Sequence, residues 1–163
     1  MPAVIVDSSV LITRAASEQF HLLREFYSTI HIPPEVWNET THTPKNFGVQ
    51  EVRQAKAEGW LVVQSPRDLN AVQALPFNLQ PGETEALALE LSGSLLLVDD
   101  AQGRRAAAFL GIAYTGTLGV LLRAKAEGKI PALRPLLELL GTRTTFWLSP
   151  TVQAAALKQA GEG

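Results

Sequence analysis

Residues 95–105 read LLLVDDAQGRR: four apolar residues, two aspartates, then a stretch suited to a helix. A run without polar alternation fits a strand covered on both faces, because neither side meets water. The same order returns at 3–10, AVIVDSSV, and shorter apolar runs stand at 61–63 (LVV), 112–114 (IAY) and 146–148 (FWL). Helical segments with readable ends fill the gaps. Residues 18–29 place Phe20, Leu23 and Tyr27 on one stripe, Pro33–Pro34 opens a helix through about Thr40, 49–58 closes at Gly59, and another helix follows Pro81–Gly82. Beyond these, 102–110 stops at Gly111, 118–127 stops at Gly128, Pro131 opens a helix to Leu140, and 151–160 forms the last. Between 65 and 80, Pro66, Pro76 and Asn78 predict a loop with room for one short helical turn. Alternating strands and helices of this kind predict an α/β fold, a mostly parallel sheet layered between helices.

Composition narrows the function classes. A length of 163 residues matches one domain, expected to span 1–163, and 46% hydrophobic with 18% charged residues excludes intrinsic disorder. The chain has no cysteine, which removes disulfide scaffolds, thiol nucleophiles and Cys-ligated metal sites. The start, MPAVIVDSSVLI, lacks a basic leader and carries an Asp inside its apolar run, so a signal peptide is not expected. No apolar stretch approaches the roughly 18 residues needed to span a bilayer. A cytoplasmic, non-membrane protein is the expectation. The net charge of −2 conceals an asymmetry: residues 1–100 carry 6 basic and 13 acidic side chains, net −7, and residues 101–163 carry 8 and 3, net +5. Divalent cations would offset part of the acidic half, so the low net charge does not exclude a polyanionic partner.

The placement of the acids is the strongest chemical signal. Of four aspartates, Asp7, Asp99 and Asp100 directly follow apolar runs. The carboxyl ends of parallel strands open on the crevice where doubly wound sheets bind ligands. The competing explanation is that each Asp caps the helix after it. Glutamates add Glu35 and Glu39 in PPEVWNET and Glu83 and Glu85 in PGETEALALE. Glu35 falls in a first helical turn and suits a dipole partner. Glu39 lies a turn deeper in a mostly apolar helix. Glu83 and Glu85 are two residues apart, so on a helix they point in nearly opposite directions and only one can project into a shared site. Oxygen ligands without Cys or paired His favour Mg²⁺ or Mn²⁺ over zinc, and clustered carboxylates holding such ions typically act on phosphate esters. His21, His31 and His42 have no metal-binding spacing, and GxSxG, GxxxxGK[ST] and GxGxxG motifs are all missing from the sequence. Arg104 and Arg105 after the acid pair, and Arg123, Lys125 and Lys129 after GTLG, could hold nucleic-acid phosphates; a solvated helix face is the alternative.

VIVDSSVLI, PPEVWNE, PGETEAL, LLLVDDAQGRRAA and YTGTLGVLLRAKAEGKI together resemble, in order and spacing, the PIN-domain nucleases, in particular a VapC-like branch long treated as a domain of unknown function. The resemblance runs from residue 3 to about 160. It implies a three-layer α/β/α sandwich whose acid pocket binds Mg²⁺ or Mn²⁺ and directs water at an RNA phosphodiester. On this resemblance Asp7 is the first-strand acid and Ser9 the small hydroxyl residue beside it. Glu39, Glu83 and the Asp99–Asp100 pair complete the catalytic set. Asp7, Glu83 and Asp100 are the implied metal ligands, and Ser9, Arg104, Arg105 and Lys125 the implied phosphate contacts. Where the family pattern has Thr two residues before its last Asp, this chain has Val98, which favours Asp100 over Asp99 as the ligand; Glu83 or Glu85 must take the third acid's place.

The expected activity is a metal-dependent endoribonuclease, the toxin of a toxin–antitoxin pair, with RNA as substrate and a small antitoxin protein as partner. A homodimer is also expected, with the stripe Leu133, Leu136, Leu137 and Leu140 as its interface or else as core. The alternatives are a catalytically weak PIN-fold module that binds RNA or protein, and a receiver-like phosphoacceptor. Receivers carry their acid pair after the first strand, which this chain does not.

Overall fold

A computed structural model describes residues 3–42, 47–90 and 94–163. The chain begins β1 (Val4–Val6), α1 (Ser8–Ala16), α2 (His21–Tyr27), β2 (Ile30–Ile32) and α3 (Pro34–Thr41). It continues α4 (Val49–Glu58), β3 (Leu61–Val63), α5 (Asn70–Gln73), α6 (Pro81–Glu90) and β4 (Leu95–Leu97). The last third holds α7 (Ala101–Leu110), β5 (Ala113–Thr115), α8 (Thr117–Ala126), α9 (Arg134–Arg143) and α10 (Pro150–Gln159). Among the described residues no helix is long and apolar enough to cross a membrane.

The five strands form one parallel sheet in the order β3-β2-β1-β4-β5. Successive strand residues point to opposite faces, and the central strands are buried on both. The edge strands β3 and β5, at the runs 61–63 and 112–114, leave Val62 and Tyr114 exposed, because among the described residues no strand or helix fully covers them there. Val4, Val6, Ile30, Ile32 and Leu97 join Val10 and Leu11 of α1, Val36 of α3 and Val52 of α4. Ile5, Leu96 and Val98 face the other way, into Ala86 and Leu87 of α6 and Ala106 and Ala107 of α7. These are the three layers expected of runs apolar throughout. A third cluster joins α8, α9 and α10 through Leu121, Ala124, Leu133, Leu137, Leu140 and Leu157.

The sheet grows from β1 outward through β2 to β3, then returns to the other side of β1 with β4. The reversal between β1 and β4 is the topological switch point, where side chains leaving two neighbouring parallel strands diverge around a crevice. Val6 lies opposite Leu97 in that pair, so Asp7 and the Asp99–Asp100 pair leave the sheet at the same edge.

The structure corrects several expectations. β2 was not among the apolar runs, because His31 interrupts Ile30 and Ile32; tertiary pairing of His31 with Ile5 and Val62 makes it an interior strand. Residues 146–148 are not a strand: Phe146 and Leu148 pack on the C-terminal helices and Trp147 points outward, with no sheet partner. The helix expected over 18–29 shrinks to α2, because Glu18 and Ser28 take positive φ (61° and 63°) that a helix cannot contain. The helix expected from Pro131 starts at Arg134, with its proline inside the first turn at Pro135. Finally, the α9 leucine stripe is core. Leu133 and Leu140 are fully buried, Leu137 nearly so, and Leu136 packs against them, which removes the stripe as an interface argument.

Candidate functional site

At the carboxyl edge of β1 and β4 a pocket of about 300 Å³ is lined by Asp7, Ser8, Ser9, Glu39, Gln80, Glu83 and Asp100. Four carboxylates from four separate parts of the chain meet there, and its lining holds no Lys, Arg or His. Each acid arrives by a different local device.

Asp7 follows β1 and occupies the N-cap position of α1, yet its side chain makes no capping bond. Ser9 Oγ donates to Asp7 Oδ2 at 3.1 Å, and Asp7 Oδ1 is buried without a donor. Burial, with a push from the Glu39 charge, lifts its pKa to about 6, against the pull of the nearby Ser8 and Ser9 N–H groups and the Ser9 hydroxyl, which lower it. Glu39 reaches the pocket from the second turn of α3, where Ser8 Oγ donates to its Oε2 at 2.7 Å. Glu83 sits in the first turn of α6 and is 5% exposed. The Gln80 N–H donates to its Oε1 at 2.9 Å, while Oε2 is buried with no donor. Burial holds the Glu83 carboxyl well above its ordinary range, and contact with Asp100 raises it further, as does the Asp7 charge. Asp100 caps α7, its Oδ2 accepting from the N–H groups of Gln102 (3.0 Å) and Gly103 (3.2 Å). For Asp100 the capping explanation therefore holds, but it occupies one oxygen only and leaves the group at the pocket's rim.

Two glycines admit this crowding. A Cβ on Gly82 would stand 2.6 Å from Glu39 Oε1, and one on Gly103 would stand 2.8 Å from Glu83 Oε2, both inside contact distance. Even alanine at either position would displace an acid.

Asp99 goes elsewhere. It lies on the opposite side of β4 from Val98 and accepts from the Thr117 N–H at 2.7 Å and from the Thr117 hydroxyl. The Thr117 and Thr13 hydroxyls share a hydrogen bond, and Arg14 Nη2, fully buried, donates to the Thr117 carbonyl. Burial raises the Asp99 pKa, while the Thr117 bonds and the charges of Arg14 and Arg104 oppose the rise. Burial likewise lowers Arg14 to about 10, partly restored by Asp99, so it stays charged at neutral pH. Asp99 is thus a buttress joining β4 to α8 and does not line the acid pocket. Glu85 also lies apart: its Oε1 accepts from the Glu35 N–H at 3.1 Å, at the start of α3.

The expected phosphate contacts divide. Ser9 stands on Asp7 at the pocket. Arg104 is exposed near its edge, its guanidinium 5.4 Å above the Tyr114 ring, and Arg105 is exposed on the same helix. Lys125 is committed to Glu162 at 3.2 Å, in a cluster where Glu162 also takes the N–H groups of Leu133 and Arg134. That charge ties the C-terminal residues to α9. Ser8, Gln80 and Arg14 were not anticipated as site residues; a serine directly after Asp7 and a lone arginine in the apolar α1 are the traces that Ser8 and Arg14 leave in the sequence.

Carboxylates forced together with two buried oxygens lacking donors are what a hard cation would relieve, so the donor set fits Mg²⁺ or Mn²⁺. Among the described residues, however, no three acids are already gathered into a cage that could hold an ion. A family model described as a PIN domain matches residues 3–162. No curated protein matches the chain.

Proposed function

The chain belongs to the PIN-domain family, whose members are generally nucleases that use divalent metal ions, and from that premise we propose that it is a Mg²⁺- or Mn²⁺-dependent endoribonuclease. The observation that carries this reading is the pair of buried oxygens without a donor, Asp7 Oδ1 and Glu83 Oε2, on two residues that line a pocket with Glu39 and Asp100. A folded protein keeps such oxygens undonated at a cost, and a cation ligand recovers it.

Asp7, Glu83 and Asp100 would hold the ion, with Glu39 and Ser8 beside them. When bound, the cation supplies Lewis acidity and lowers the pKa of a coordinated water. The protein's own part is positional. Ser9 fixes the Asp7 carboxylate, Ser8 that of Glu39, the Gln80 N–H that of Glu83, and the start of α7 that of Asp100. Arg104, outside the acids, suits a phosphate of the strand being cut. A toxin role, with a small antitoxin covering this edge, is part of the same proposal, as is a second copy as partner through a surface other than the α9 stripe.

Purified protein should cleave single-stranded RNA in Mg²⁺ or Mn²⁺, stop in chelator, and lose cleavage in Asp7→Asn while keeping its circular dichroism. Asn preserves shape and removes the ligand charge; losing several kcal/mol of transition-state stabilisation at about 1.4 kcal/mol per tenfold makes the effect a thousandfold or more. Near-normal cleavage by Asp7→Asn would overturn the assignment. A wild-type protein that cuts no RNA would favour the binding-module alternative.

A further inference from the structure

A larger cavity of about 960 Å³ opens beside the acid pocket and shares Ser8, Ser9 and Asp100 with it. A ligand in this groove therefore lies against residues that also line the acid pocket. One wall is the connection between α9 and α10, where Trp147 is 75% exposed while its neighbours Phe146 and Leu148 are packed into the C-terminal cluster. Thr144 stiffens that connection: its hydroxyl donates to the Leu140 carbonyl at 2.9 Å and accepts from the Phe146 N–H at 3.0 Å. The indole is thus held out on a fixed backbone, against the usual tendency of tryptophan to be covered. The same lining carries Arg104, whose guanidinium is steadied over the Tyr114 ring.

Resting on the nuclease reading above, we propose that this groove seats the single-stranded flank of the RNA, with one unpaired base stacked on Trp147 and a backbone phosphate at Arg104. Three features select that occupant. The groove shares lining residues with the acid pocket, so its ligand lies beside those acids. An exposed aromatic side chain and a cation line the same groove, which suits a chain of alternating bases and phosphates. A free indole face takes an unstacked base, which a duplex does not offer, and such stacking tolerates any base. Arg104 also offsets the repulsion a polyanion meets at four carboxylates.

The test separates this groove from the nuclease activity by reading binding alone. A single-stranded RNA of about ten nucleotides is titrated in chelator onto Asp7→Asn protein, with and without Trp147→Ala. Loss of one stacked base should weaken binding about 5- to 100-fold, Trp147→Phe should recover most of it, and the same RNA annealed to its complement should bind indifferently to Trp147. Because Trp147 is largely exposed, Trp147→Ala should leave the melting temperature unchanged, so a loss of binding cannot be attributed to unfolding. Equal affinity of the Trp147→Ala and Trp147 proteins for the single strand overturns the proposal. It is also overturned if light scattering shows a dimer that Trp147→Ala splits into monomers, since a second copy then fills the groove, or if Trp147→Ala releases only a co-expressed antitoxin. Trp147-dependent binding without cleavage by the wild-type chain would uphold the groove and overturn the nuclease reading. Cleavage with Trp147-independent binding would do the reverse.

Discussion

Asp99 and Asp100 are neighbours in sequence and both line the larger groove, yet they differ in their partners. Asp100 joins Asp7, Glu39 and Glu83 in a pocket whose lining holds only like charge, with two buried oxygens lacking donors. Asp99, on the other side of β4, has both oxygens engaged by Thr117 and a buried arginine nearby. One region is an uncompensated charge cluster, held together because β1, α3, α6 and α7 are fixed by packing elsewhere. The other is a compensated cluster that itself fastens β4 to α8. The difference teaches that acids at strand ends divide by what the surrounding helices offer them. Where both oxygens receive a donor and a cationic side chain stands near, the acid fastens the fold; where hydroxyls reach only some oxygens and no cationic side chain is supplied, it is available to a ligand. Even the compensated cluster is incomplete, since Arg14 Nε and Nη1 are buried without partners.

The widest gap between the two clusters should appear in catalysis. Glu83→Gln keeps the size of the side chain and its bond from Gln80 but removes a ligand charge, so RNA cleavage should fall about a thousandfold, or ~4 kcal/mol, while thermal stability of the metal-free protein rises. A Glu83→Gln enzyme with wild-type turnover would erase the distinction.

The next largest effect is on stability against pH. Asp7 has a folded pKa of about 6 against an ordinary 3.8. Between those values the unfolded chain loses its proton while the folded one keeps it, so stability of the metal-free protein must fall as pH rises from about 4 to about 6. The full cost is about 3 kcal/mol at neutral pH, and the raised pKa of Glu83 extends the fall to higher pH. Denaturant melts in chelator at pH 4.5 and 7.5 measure it, and Mn²⁺ should restore the loss at the higher pH. A metal-free protein more stable at pH 7.5 would show that the pocket's charges are already compensated.

The compensated cluster should give the smallest effect and the opposite sign. Asp99→Ala removes two hydrogen bonds and the negative charge near Arg14, costing about 2 kcal/mol of stability, visible as a lower melting temperature at every pH from 5 to 8. Cleavage at a temperature where the variant is folded should fall far less than in Glu83→Gln. If Asp99→Ala instead stabilises the protein and abolishes cleavage, Asp99 belongs with the acid pocket.

The α/β class, most helices to within a few residues, and the strand-end position of the acids were all legible in the sequence. They follow from local rules: an unbroken apolar run needs cover on both faces, and proline, glycine and aspartate mark helix ends wherever they stand. β2 was illegible because His31 breaks its apolar run and only its neighbours in the sheet make it a strand. Trp147 misled for the converse reason, since FWL has strand composition but packs on the C-terminal helices instead of pairing with the sheet. Strand alternation and helix geometry already require that Asp99 part from Asp100 and Glu83 from Glu85, and the resemblance leaned to Asp100 and Glu83, but what each member of a pair meets was decided by the tertiary structure. It sets Thr117 and Arg14 against one aspartate, the start of α3 against one glutamate, and Gly82 and Gly103 where a side chain would have kept the remaining acids apart.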